Sequence, residues 1–273
     1  MLRQEGQAVM KRLLFLLLAI PFGVWLSFSY INPYGGSITL SELVLQLSGA
    51  RGTFALGLNL NELLDFTLRL VPVLVFQALA GTLMYQYYCT ASVYVFSRIE
   101  RRTAWYRREL GALAVKAFAY LALMLLSALI TALVRWHIIW DAAGVRLLLY
   151  HFLIWSLWTL VATLAVNLIA IYLGSSAAFA VVAGFQAVCV ALLTVANQFE
   201  ESPDVYSALL RANPVTCLVL SWQQSRFGGQ GYGIYFEDSL AGIVAAALLI
   251  AVLGAAVVKK HDLLVNNAES AGG

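Results

Sequence analysis

Between Leu110 and Leu133 the chain carries a single charged side chain, Lys116. Coiled as a helix, that stretch reaches about 36 Å, enough to cross a hydrocarbon core of about 30 Å. Five further runs have the same character, so the spans fall at approximately 13–30, 70–88, 110–133, 147–173, 177–196 and 240–258. None shows the period-2 alternation of a membrane barrel strand, so helices are the reading. Composition agrees: of 273 residues 62% are apolar or aromatic and 11% charged, with a mean hydropathy of +0.82. So few charges cannot clothe a soluble globule, which excludes a soluble enzyme, a disordered regulator and a nucleic-acid-binding domain. The expected fold class is all-α: one transmembrane domain over residues 1–273, with six helices and no separate soluble domain.

The basic residues orient the spans. With the N-terminus inside, the inner segments hold Arg3, Lys11, Arg12, Arg98, Arg101, Arg102, Arg107, Arg108, Lys259 and Lys260. The outer segments hold Arg51, Arg135, Arg146, Arg211 and Arg226, together with most of the acids, among them Glu200, Glu201, Asp204, Glu237 and Asp238. The positive-inside rule therefore places both termini in the cytoplasm. The basic residues ahead of the first span imitate a secretory signal. Its apolar run is too long for a signal core, and it reads as a retained first span. Cys89, Cys189 and Cys217 are odd in number and form no CxxC or Cys/His cluster, so neither a disulfide framework nor a zinc site is indicated.

Few segments are left to carry function. The cytoplasmic stretch 90–109, TASVYVFSRIERRTAWYRRE, sets Val95, Ile99, Trp105 and Tyr106 among five arginines. Such a segment either lies flat at the headgroups, fixing topology, or docks on a soluble partner through its arginines and Trp105. Two large loops, 31–69 and 197–239, lie outside. In the first, Leu40, Leu43 and Leu47 share helical spacing, a second apolar piece runs through 56–64, and Asp65 and Arg69 stand four apart. That spacing suits an ion pair at the outer mouth of the second span, with snorkelling of Arg69 to lipid phosphate the equal alternative. In the second loop Asn213-Pro214 marks a break between two short helices that dip toward the outer leaflet. The later glycine-rich stretch 228–233 is a connector, since no phosphate-binding pattern follows it.

Chemistry within the spans is sparse. Lys116 snorkels, and His151 and Asn167 stand alone, as interhelical hydrogen-bond partners do. No carboxylate chain crosses the membrane, which weighs against an ion-coupled carrier. No HExxH is present, and Ser175 has no histidine at its depth, His137, His151 and His261 being scattered, so an enzyme is not expected. The link Gly174-Ser175-Ser176 is short enough to force a tight antiparallel hairpin.

The order of these parts resembles the ABC-2 type permeases, the membrane subunits of one class of ATP-binding-cassette exporters. The segment FSRIERRTAWYRREL over 96–110 is similar to that family's coupling helix, and ANPVTCLVL over 212–220 to its outer re-entrant Asn-Pro element. The resemblance implies the ABC-2 exporter fold and a pair of permease chains, alike or different. Each chain would engage a separate ATPase that binds ATP and Mg²⁺; this chain carries no Walker loop and no cofactor. It implies Arg98, Glu100, Arg101, Arg102 and Trp105 as coupling residues and Asn213 and Pro214 as the re-entrant element. Tyr85, Trp155, Trp158 and Phe185 are candidates for a pathway wall; no metal ligands are expected. The cargo would be a peptide or other amphipathic compound, and the setting a bacterial plasma membrane. A membrane sensor or scaffold that moves nothing is the first alternative, and an ion-coupled secondary carrier the second.

Overall fold

In chain order the elements are α1 (Ala19–Phe28), β1 (Ser37–Thr39), α2 (Leu40–Leu47), α3 (Leu60–Ala80), α4 (Arg102–Arg135), β2 (His137–Ile139), α5 (Ala142–Leu173), α6 (Ser175–Asn197) and α7 (Pro203–Ala212). Two 3-10 turns, Pro214–Leu218 and Leu220–Trp222, lead to β3 (Gln223–Gln224), β4 (Ile234–Tyr235) and α8 (Phe236–Lys260). The computed structural model describes residues 16–29, 36–49, 60–81, 83, 85–86, 102–197, 202–224 and 234–260. Arg98, Glu100, Arg101, the connector 228–233 and both terminal segments lie outside the described residues.

The chain is an all-α membrane protein. Among the described residues four helices are long and apolar enough to cross a bilayer: Arg102–Arg135, Ala142–Leu173, Ser175–Thr194 and Phe236–Lys259. The expected third span proves too short. α4 is continuous over 34 residues, about 50 Å, so Arg102 and Trp105 belong to the span's own helix rather than to a separate segment. The second also begins earlier than expected. α3 starts at Leu60 and runs through Pro72 to Ala80, taking in residues 60–69 of what reads as an outer loop. Pairing between Asp65 and Arg69 removes the charge penalty that makes this stretch look like loop. α1 is a shorter apolar helix of ten residues.

Side-chain contacts give the helix directions. α1 and α4 run parallel, since Ser127 Oγ donates to the Ile20 carbonyl and Arg135, a few residues further along α4, donates to Ser27. They approach closely at Gly23, where a Cβ would fall 2.0 Å from the Met124 carbonyl oxygen. α5 and α6 are antiparallel, joined by Gly174 alone at φ +78°, a conformation other residues resist. The link is tighter than its three small residues require. α8 runs parallel to α5, with Phe236 stacked 4.8 Å from Tyr150 at one end and Gly254 against Leu168 at the other.

α5 is the hub. Two thirds of its spanning stretch (67%) is buried by protein, against 17% for α8. Leu248, Leu249 and Val252 of α8, with Val181, Phe185 and Val188 of α6, form apolar surface turned outward. In water such surface would drive collapse; against acyl chains it costs nothing, and cohesion comes from close packing and satisfied polar groups.

At one end of the bundle a second layer is built from the loops. Thr39 forms a reciprocal capping box with Glu42 and starts α2, whose Leu40, Leu43 and Leu47 are all buried. The expected short helix is therefore present. β1 pairs in parallel with β2, Ser37 opposite His137, and so ties this segment to the α4–α5 turn. Asp141 completes the tie by accepting from the Ser41 N–H at 3.0 Å and the Gly144 N–H at 2.9 Å, which caps α5. Burial pushes the Asp141 carboxyl up, but these hydrogen bonds together outweigh it and hold the group below its ordinary range.

Candidate functional site

The polar side chains inside the bundle lie along α5 in tiers. At the tier nearest Gly174, Asn167 donates to the Thr163 carbonyl at 2.9 Å and to the Ala80 carbonyl at 3.4 Å, and accepts from the Tyr85 N–H at 3.1 Å. α3 breaks just there, at Gly81. The amide thus serves backbone groups that the break would orphan in an apolar medium. Thr163 and Thr159 bond back to carbonyls one turn earlier in α5 and need no partner from elsewhere.

A second tier joins three helices. Gln77 of α3 and Gln186 of α6 exchange hydrogen bonds at 3.3 and 2.9 Å, and the Trp158 indole N–H donates to the same Gln186 oxygen at 3.1 Å. A third tier holds Arg69, 3% exposed. Its Nε–H donates to Asp65 at 2.8 Å and its Nη1 to the Leu47 carbonyl at 3.0 Å. The ion pair is the outcome, and Arg69 does not snorkel. The guanidinium turns inward, anchoring α2 on α3. His151, also buried, lies in this region with its Nδ1 unpartnered.

Against these tiers rests the segment between α7 and β3. α7 buries Tyr206 and Leu210 on one face and ends at Asn213. Pro214 has no N–H and starts the 3-10 turn, while the Asn213 side chain accepts from Val215 N–H at 3.1 Å. The same amide donates to the Cys189 carbonyl of α6 at 2.6 Å. Trp155 of α5 donates to the Leu218 carbonyl at 3.3 Å. Leu218, Val219 and Leu220 are buried, so the segment is a wedge held from two sides by named hydrogen bonds. The expected break at Asn213-Pro214 is present.

Between the wedge, α5 and α8 opens a cavity of about 420 Å³, within the range of small-molecule sites. Trp158, Val161 and Ile243 line its apolar part, and Arg211, Tyr235 and Asp238 its polar part.

The residues singled out from sequence are thus only partly brought together. Trp155 bonds the wedge at the Leu218 carbonyl, Trp158 bonds Gln186 one turn further along α5, and the Tyr85 backbone N–H meets Asn167. Phe185 does not join them; it is 55% exposed on the outward face of α6. Trp105 is buried in the chain's own core beside Tyr106, whereas Arg107 and Arg108 on the same turn are exposed. Asn167 is not solitary but the hub of a tier. Gln77, Gln186 and Cys189 were not among the sequence candidates. The two glutamines had a signal, as polar residues inside apolar runs; the Cys189 carbonyl had none.

The fold and this site define a helical-bundle membrane protein with a buried polar ladder and a wedge at one end. No family model matches the chain, and neither a curated protein nor a solved structure is found to be similar to it.

Proposed function

We propose that the chain is the permease subunit of an ATP-driven exporter in a bacterial plasma membrane. In this reading six helices, α1, α3, α4, α5, α6 and α8, cross the bilayer, with both termini in the cytoplasm. The observation that carries the proposal is the wedge: a helix, an Asn-Pro break and 3-10 turns folded back into the bundle between the fifth and sixth crossings and bonded to Cys189 and Trp155. An ordinary loop has no use for buried leucines and two hydrogen bonds to helix-borne groups. A gate that rides on the helices beneath it does.

Force enters at the other end. The basic approach to α4, including Arg98, Glu100, Arg101 and Arg102, receives it from a separate ATPase that holds ATP and Mg²⁺. α4 transmits it as one continuous rod, and α1 moves with that rod because Gly23 and Arg135 lock the two helices. Trp105 acts within this rod as a core residue. Two permease chains, alike or different, form the working unit, and the cargo is a peptide or another amphipathic compound.

The test is to co-express the chain with any ATP-binding-cassette ATPase that an adjacent gene encodes, purify through a tag on this chain, and measure ATP hydrolysis in proteoliposomes. Copurification and ATP-dependent loss of cargo from inside, both abolished by the double substitution Arg101→Glu and Arg102→Glu, are expected. A chain that brings down no ATPase, or flux that persists without ATP, would sink the exporter reading. The first result points to a scaffold and the second to a carrier.

A further inference from the structure

At the last residue of α4 a cation is built into the contact with α1 and left without a counter-charge. Arg135 Nη1 donates to the Ser27 carbonyl at 3.1 Å, and the guanidinium carbon lies 4.5 Å from the centre of the Phe28 ring and 4.7 Å from that of Trp136. Two rings and a carbonyl thus hold the group in place. A guanidinium has five N–H donors, so most of them are still unspent. Among the described residues no carboxylate pairs with Arg135, which is itself exposed. Asp141, the next acid along the chain, is committed to the Ser41 and Gly144 N–H groups. Apolar surface adjoins the cation. Val134 beside it and Trp140 beyond it are exposed. On α1, Pro21, Trp25 and Phe28 stand four and three residues apart and are all exposed, so they form one stripe. Because α1 and α4 run parallel, that stripe begins at the guanidinium's own neighbour Phe28 and leads about 10 Å away from it along the helix.

We propose that Arg135 binds the phosphate of one phospholipid in the leaflet at this end of α4, and that an acyl chain of the same lipid lies along Phe28, Trp25 and Pro21. The phosphate supplies the counter-charge that the fold lacks, and its oxygens match the paired donors of a guanidinium. The helix C-terminus favours a cation at the same place, so the charge is held ready for an anion rather than created by one. A free inorganic phosphate would meet the arginine alone and gain nothing from the stripe, which makes lipid the source. The inference requires a bilayer around the bundle but no ATPase and no transport, so it stands or falls separately from the exporter reading.

The probe is phosphatidylglycerol with a photoactivatable diazirine in one acyl chain, added in equal amount to the full-length purified chain in a maltoside detergent, which carries no phosphate. Crosslinked positions are then read by peptide mass spectrometry. Label is expected on α1 between Pro21 and Phe28, displaced by excess unlabelled phosphatidylglycerol but not by inorganic phosphate at the same concentration. Arg135→Gln should lower it about tenfold, the equivalent of one lost charge-assisted contact. Label on the outward-facing Leu248 and Leu249 of α8 should stay as it was. Arg135→Lys keeps the charge and should retain part of the α1 label. Ser127→Ala removes the other polar tie between α1 and α4 without touching the cation, and should leave the label unchanged. Label on α1 that survives Arg135→Gln marks ordinary boundary lipid, and an equal loss in Ser127→Ala marks a purely structural arginine. Displacement by inorganic phosphate marks a simple anion site. Any of the three overturns the proposal.

Discussion

Gln77 and Gln186 stand 109 residues apart in sequence, and their side-chain amides exchange two hydrogen bonds, at 3.3 and 2.9 Å, in the middle of the bundle. Each closes the other's donor and acceptor, and Trp158 adds its indole N–H to the shared oxygen. Removing one amide strands the other. Gln77→Leu should therefore destabilise the chain by about 1–2 kcal/mol. Gln186→Leu should cost more, because Trp158 loses its acceptor as well. The Gln77→Leu, Gln186→Leu double variant should recover part of the loss, the coupling amounting to about 0.5–1.5 kcal/mol as for other membrane-embedded hydrogen bonds. Unfolding titrations in mixed micelles give all four corners of the cycle; strict additivity would mean that the pair does not act as a unit.

The α1–α4 contact makes a different prediction, since it rests on the lack of a side chain. At Gly23 a Cβ would overlap the Met124 carbonyl and Ser127 Oγ, each at 2.0 Å, and neither the backbone nor its short neighbour can withdraw far. Gly23→Val should push the helices apart and break the Ser127–Ile20 and Arg135–Ser27 hydrogen bonds. A cost of about 2–4 kcal/mol is expected. Limited proteolysis should release the N-terminal segment from the rest of the chain. Gly242→Val, at a site where a Cβ meets nothing, is the control and should leave the melting temperature unchanged.

Asp141 predicts the acid response of the loop layer. Its carboxyl titrates below its ordinary value because the Ser41 and Gly144 N–H groups bond the charged form. A group whose folded pKa lies below its unfolded one stabilises the fold above the unfolded pKa, and that contribution fades as pH falls through the folded value. The wild type should thus lose melting temperature on acidification below about pH 4. Asp141→Asn should begin about 2–6 °C lower at neutral pH, the cost of a weakened cap, and decline less steeply in acid. Equal slopes for the two proteins between pH 5 and 3 would remove Asp141 from the account.

How much of this was legible in sequence depends on whether the signal was periodic or relational. The long apolar runs were readable, as was the turn at Asn213-Pro214, because proline's missing N–H and asparagine's capping side chain act locally. The α2 helix was equally plain from Leu40, Leu43 and Leu47. Boundaries failed where charge sat inside helix: Arg102, Arg107 and Arg108 look like loop, yet α4 is helical from Arg102 onward. Pairings were illegible. Nothing local says that Asn167 meets Ala80 and Tyr85, or that the carbonyl of Cys189 receives Asn213. Phe185 and Trp105 show the same limit from the other side. An aromatic in a span faces lipid, core or pathway according to neighbours supplied by other helices, and here one faces outward while the other is buried.

The Asp65–Arg69 pair shows how far such a local rule reaches. Spacing of four residues predicts a surface ion pair worth a few tenths of a kcal/mol. In the folded chain Arg69 is 3% exposed and Asp65 31%, and the guanidinium also holds the Leu47 carbonyl at the end of α2. With Asp65 replaced by alanine, a buried cation is left without its counter-charge, at a cost of about 3–5 kcal/mol, well above a surface pair. Arg69→Met with Asp65→Leu removes both charges and should be far milder than Asp65→Ala alone, though it frees the Leu47 carbonyl and loosens α2. Hydrogen exchange separates the two effects. In Asp65→Ala, protection should fall across α2 and the first turns of α3 together. In the double variant it should fall chiefly in α2, at the end next to Ser48. A loss below 1 kcal/mol in Asp65→Ala would show instead that Arg69 reaches water or lipid phosphate, and that the pair is the ordinary exposed one its spacing implies.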